Sequence, residues 1–168
     1  MKDNKDDKIY NKVREIEFRG KNIKTKEWHY GSLVSKYDVD ACLYCQYHIL
    51  EKSEYSRSCD WDSDLVNANF YEVDENTIGQ FTGLCDKNGK KIYEGDVVKF
   101  IDYDSYDEGF ENAGVVKYGG NMFYVTNRYS VNMEDLVDDL EGSMYCEVIS
   151  NIYDDPEMWE EYDEKPNN

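Results

Sequence analysis

Residues Thr77 to Phe100 read TIGQFTGLCDKNGKKIYEGDVVKF, and the fold is decided there. Asp86-Lys87-Asn88-Gly89 is a turn, because Asn-Gly tolerates the positive φ angles of a tight hairpin. Gln80 to Leu84 on one side and Lys90 to Tyr93 on the other then read as short strands. Gly79 and Gly83 mark places where the backbone bends or passes close to another segment. Glu94-Gly95-Asp96 turns the chain again, and Val97 to Ile101 follows as a strand with Val98 and Phe100 on one face. Glu94 and Asp96 flank Gly95 as a carboxylate pair, but Asp and Gly are also what a turn demands, and turn chemistry is the reading adopted.

Downstream, a charged loop from Asp102 to Glu111 precedes the strand Gly114 to Tyr118. Gly119-Gly120-Asn121 is a tight turn, Met122 to Thr126 pairs back, and Tyr145 to Ile149 supplies one more strand. Five or six short strands joined in this way predict a small closed β-barrel of SH3-like type over residues 76–153. Met133, Leu136, Val137 and Leu140 form one apolar helical stripe, with Asn132 as N-cap and Gly142 as stop. Asp155-Pro156 opens a short helix within residues 154–168, carrying Met158, Trp159 and Tyr162.

Upstream, residues 1–9 are polar and are expected to form a disordered tail. Val13 to Phe18 alternates as a half-buried strand with Ile16 and Phe18 inward. Gly20 to Lys26 is a basic loop, and Glu27 to Val34 is a second strand that pairs back on the first. His29 is expected to be a partly buried structural histidine, since no base or nucleophile lies beside it in sequence. Tyr44 to Leu50 and Leu65 to Val73 read as further strands, and Asp74-Glu75-Asn76 as a joint. The chain is thus mainly β, α+β overall, with an N-terminal β-rich domain over residues 10–75 and the barrel after it.

The net charge is −18, yet 15% of the residues are aromatic and 40% hydrophobic, which excludes a disordered acidic chain. Residues 1–75 carry 12 basic and 16 acidic side chains, a net of −4, and residues 76–168 carry 7 and 21, a net of −14. Such a surface repels a phosphate backbone, so direct nucleic-acid binding is not expected. The first 30 residues, with nine basic and six acidic side chains, form the one basic edge. No apolar run reaches membrane-spanning length and MKDNKDDK is unlike a secretory signal, so a cytoplasmic location is expected, with five free cysteines.

Metal and catalytic chemistry find little support. Cys42, Cys45, His48 and Cys59 have zinc-binding side chains, but their spacing fits none of the usual zinc ribbons, so no metal and no cofactor is expected. The acids from Asp102 to Glu111 fail the calcium-loop pattern: Asp107 stands where the glycine is required and Ala113 where the bidentate glutamate is. No Gly-x-Ser-x-Gly, P-loop or Gly-x-Gly-x-x-Gly occurs, and two histidines leave little room for a triad. No enzyme and no catalytic residue is expected.

The run from Ile78 to Phe100 resembles the signature of the YopX protein family, encoded by bacteriophages and prophages of low-GC Gram-positive bacteria. The resemblance rests on Gly79, Gln80, Thr82, Gly83, Leu84, Asp86, Gly89, Ile92, Tyr93, Glu94, Gly95, Asp96 and Val98. IEFRGK with EWHYGSLV, and CEVISNIYDDPEM near the end, fit the same family, although Ser150 stands where the family shows glycine. It implies a β-rich region followed by an SH3-like barrel in a homo-oligomer, and no catalytic residues. The function expected is therefore a non-enzymatic binding and assembly module acting on a host or phage protein. The alternative is an acidic DNA mimic that inhibits a host DNA-binding protein.

Overall fold

The structure, a computed structural model, describes residues 15–37, 45–51, 69–103, 109–126, 131–132 and 145–157. Among the described residues the regular secondary structure is almost wholly β-strand. In chain order the strands are β1 (Phe18–Lys21), β2 (Trp28–Tyr37), β3 (Cys45–Glu51), β4 (Asn69–Val73), β5 (Gly79–Cys85) and β6 (Lys91–Tyr93). They continue as β7 (Asp96–Tyr103), β8 (Gly109–Gly119), β9 (Met122–Thr126), β10 (Val131–Asn132) and β11 (Glu147–Asn151). One sheet has the order β4-β3-β2-β1-β5-β6 and the other β10-β9-β8-β7-β11, with every pairing antiparallel.

The first sheet grows from two hairpins. β1 and β2 pair Phe18 with Gly31 and Lys21 with Trp28, as the long-looped hairpin expected. The strand begins later than its alternation suggests: Ile16 is 62% exposed, while Arg19 and Gly20 are buried. Arg19 is buried through its ion pair with Asp96, and Gly20, the next residue along the strand, lies close against Val73. β2, β3 and β4 follow as a meander. A 3-10 turn, Glu75–Thr77, is capped by the Asp74 carboxylate, which accepts from the Asn76 amide, and stands where the joint is expected.

β5 then pairs with β1 through Phe18–Gln80 and Arg19–Gly79. This is where the expected architecture differs. The sequence pattern assigns β5 and β6 to a closed barrel, but β5 takes β1 as its ladder partner, which joins both to the first sheet. In the second sheet β10 and β11 stand at opposite edges, and no pairing among the described residues closes it into a barrel. The expected charged loop is also shorter than read, because β7 and β8 run on to Tyr103 and from Gly109. β10 had no signal in the sequence.

The β5–β6 hairpin still packs on the second sheet. Ile92 joins Val98, Phe100, Val116, Val125 and Val148 in one buried cluster, with Leu84 against it. Val98 and Phe100 therefore share the inward face, as their alternation requires. At about 25 cal/mol per Å² of apolar surface removed from water, each such side chain contributes roughly 1.5–3 kcal/mol. The β8–β9 turn has Gly120 at φ 59 and Asn121 at φ 72, two consecutive left-handed residues, as a type I′ hairpin turn needs. The disordered tail read over residues 1–9, the helical stripe from Met133 to Leu140 and the C-terminal residues from Met158 onward lie outside the described residues; Pro156 and Glu157 are helical.

Candidate functional site

The polar chemistry of the described residues converges on the turn between β6 and β7. Asp96 Oδ2 accepts from the Tyr93 amide at 2.8 Å, which is the turn chemistry read from Glu94-Gly95-Asp96. Its other oxygen, Oδ1, meets Arg19 Nη1 at 2.6 Å, with both side chains almost fully buried. Arg19 Nη2 donates to the Glu94 carbonyl at 3.1 Å. The guanidinium lies over the rings of Trp28 and Tyr93, 4.6 and 5.1 Å from their centroids, so the cation is stacked as well as paired. Burial pushes the Asp96 carboxyl up, and Arg19 and the Tyr93 amide oppose that shift without cancelling it.

This turn holds four parts of the chain together. The Glu94 amide donates to Gln80 O on β5, and the Gly95 amide donates to Val116 O on β8 at 2.9 Å. The Gly95 carbonyl accepts from the Ile152 amide at 3.0 Å. Gly95 has φ 84, and a Cβ there would lie 2.7 Å from Cε2 of Tyr153. Only glycine satisfies both demands. Gly79 is likewise a position of close approach, since a Cβ there would collide with the Glu94 carbonyl.

The segment after β11 closes the other side. Lys21 forms an ion pair with Asp154 and donates to the Tyr153 carbonyl at 3.1 Å. Trp28 Nε1 donates to Asp154 Oδ2 at 3.0 Å, and Asn151 Nδ2 donates to the same oxygen. Burial works to raise the Asp154 carboxyl, but donors from Asn151, Lys21 and Trp28 outweigh it and hold the group at about 2. Ser150 follows a register shift in the β7–β11 ladder and bonds Asp155. It is not among the residues with left-handed backbone, so serine is accommodated at that point.

A second carboxylate, Asp86, is only 1% exposed and organises the hairpin turn. Oδ1 accepts from the amides of Asn88 and Lys90 at 2.8 and 2.9 Å, and Oδ2 accepts from Val148 on β11 at 3.1 Å. Burial opposes ionisation, yet these three donors hold the carboxyl below its usual range. Thr82 donates to the Ile92 carbonyl at 3.0 Å across the same hairpin. The thirteen signature positions therefore run through the β5–β6 hairpin, the turn after it and the first residues of β7, and Asp86 and Asp96 each bond groups outside that run.

The other residues singled out in sequence lie apart from this junction. His29 Nδ1 is 2.7 Å from Glu51 Oε1, and its ring stacks on Tyr71 at 3.6 Å, so the base absent from its sequence neighbourhood is supplied by β3. His48 lies on β3, which begins at Cys45, and lines a surface groove; Cys42 and Cys59 lie outside the described residues. Among the described residues no group of three or more His, Cys, Asp or Glu is placed to hold a metal ion. Cys146 is fully buried, and burial with the nearby Asp86 charge pushes its thiol up to about 12. Sequence reasoning missed Arg19, Lys21, Trp28 and Asp154 as a set. The one signal was a cation at a strand position that proved to be buried.

The fold and its junction define a two-sheet antiparallel β protein locked by a buried, aromatic-stacked ion pair. The family model for YopX protein matches residues 4–160, and the chain belongs to that family. Among solved structures, the crystal structure of protein EF1440 from Enterococcus faecalis is similar, at 20% identity and a TM-score of 0.45, covering 87% of this chain and 99% of that one. The comparison with curated proteins gives no match.

Proposed function

We propose that this chain is a non-enzymatic binding and assembly module, phage- or prophage-encoded and acting in the host cytoplasm, that forms homo-oligomers and engages a host or phage protein. The observation that carries the reading is the tip of the β8–β9 hairpin. Tyr118 and Met122 are 54% and 49% exposed there, and Phe123 meets the Tyr118 ring edge-on at 5.1 Å. Aromatic and methionine side chains are enriched in interface cores, and here Tyr118 and Met122 stand exposed on the two faces of one hairpin tip. By contrast, the buried carboxylates Asp86 and Asp96 are committed to backbone amides and Arg19, which supports a structural role for them.

The phage setting rests on family membership. No helix of the described residues is long and apolar enough to cross a membrane. The SH3-like reading of the second sheet is supported by the β5–β6 hairpin, whose Ile92 enters that sheet's core and whose following turn bonds Val116.

The test is an affinity pull-down from bacterial lysate with the wild type and a Tyr118→Lys/Met122→Lys variant. Partner recovered by the wild type and lost from the variant is the expected result. Equal recovery by both, or none by either, would contradict the reading.

A further inference from the structure

The first sheet nearly returns on itself, and the place where it stops is a groove. Beyond β1 the chain reaches β4 at an isolated antiparallel bridge between Asn22 and Val73. The Ile23 amide donates to Glu72 O at 3.2 Å and the Asp74 amide donates to Lys21 O at 2.9 Å. The chain then turns away, because the Asn22 side-chain oxygen accepts from the amides of Lys24 and Thr25. Strand geometry sets what is left uncovered. The Glu72 carbonyl points to the outer edge of β4, so by alternation the N–H and C=O of Phe70 point there too. Neither group of Phe70 has an outer-edge partner among the described residues.

A groove of about 340 Å³ opens at this point, lined by Ile23, Lys24, His48, Phe70, Tyr71 and Glu72, together with Asn22. Phe70 is 51% and Ile23 37% exposed, so apolar surface lies beside backbone groups that have no partner among the described residues. Lys24 is exposed at the groove's lip and makes no ion pair with the described residues, although the chain carries 37 acids. Glu72, the direct cross-strand neighbour of His48, is the one acid of the lining.

We infer that the outer edge of β4 binds an extended segment of a partner protein by strand addition, with an apolar side chain between Ile23 and Phe70 and acidic side chains towards Lys24. Main-chain bonds to Phe70 supply affinity, and the apolar and charged contacts supply the preference. The inference rests on the reading of the chain as a binding module and names the partner's chemistry. It uses a surface separate from the β8–β9 tip, so the two can fail independently.

The test uses the full chain and three labelled synthetic octapeptides. The first alternates glutamate with valine around one phenylalanine, the second has lysine for each glutamate, and the third has proline at alternate positions. Fluorescence polarisation is expected to rank the glutamate peptide about threefold to fivefold tighter than the lysine peptide, the scale of exposed charge pairs, with no binding of the proline peptide. The amides of Phe70 and Glu72 are expected to exchange slowly when the glutamate peptide is bound and rapidly in the free chain or with the proline peptide. Lys24→Glu, in an exposed turn, is expected to reverse the charge preference. Equal binding of the proline peptide, unchanged exchange at Phe70, or a preference indifferent to Lys24→Glu would overturn the inference. So would protection of Phe70 that rises with protein concentration alone, because β4 would then be covered by a second copy.

Discussion

Arg19 on β1 and Asp96 at the start of β7 meet at 2.6 Å in a site that excludes nearly all solvent, and that contact joins the two sheets. Removing one member of a buried pair leaves the other charge unpaired, which costs about 3–5 kcal/mol. Arg19→Met is therefore expected to lower the unfolding free energy by that amount in urea titration. Asp96→Asn is expected to cost less than Asp96→Ala, because asparagine keeps an acceptor for the Tyr93 amide.

Gly95→Ala is expected to be destabilising by about 1–3 kcal/mol, the scale of a residue held in strained backbone. Two causes act at once: φ 84, and the Tyr153 ring 2.7 Å from the new Cβ. Adding Tyr153→Ala removes only the second. The double variant should fall short of the sum of the single losses, which a double-mutant cycle reads directly.

Asp154 predicts how stability changes in acid. Its carboxyl is held at about 2 in the folded chain, below an ordinary aspartate. A depressed pKa stabilises the fold above the unfolded value near 4, and that contribution is lost as pH falls through about 2. The group is partly exposed, so solvent screens part of the effect. Thermal melts between pH 5 and 2 should show a smaller decline for Asp154→Asn than for the wild type.

Cys146 should resist alkylation in the folded protein. A thiol pushed up to about 12 and fully buried presents almost no thiolate at pH 8. Peptide mapping after iodoacetamide treatment should find Cys146 unmodified under native conditions and modified in urea. Native labelling of Cys146 at the denatured rate would contradict the packing described.

Much of the fold was legible because its signals are local. Asn88-Gly89 and Gly119-Gly120-Asn121 declare hairpins through backbone geometry, and Val98 and Phe100 declare a face through alternation. What was not legible depends on distant pairing. Nothing near Gln80 says that β5 takes β1 as its neighbour, so a closed barrel is the expectation, while no pairing among the described residues closes one. Ile16 was expected inside and Arg19 was passed over, because the pattern weighs apolarity and a buried ion pair inverts it. Of the junction, the sequence showed the turn acids but not their partners. Asp86 reaches Val148 and Asp96 reaches Arg19, contacts that only the tertiary structure makes.

The central claim is that the chain assembles through exposed apolar surface, and static light scattering over a micromolar concentration series tests it most directly. The wild type is expected to give a multiple of the single-chain mass, and Tyr118→Lys/Met122→Lys the mass of one chain with unchanged circular dichroism. A wild type that scatters as a single chain throughout the series would contradict the account.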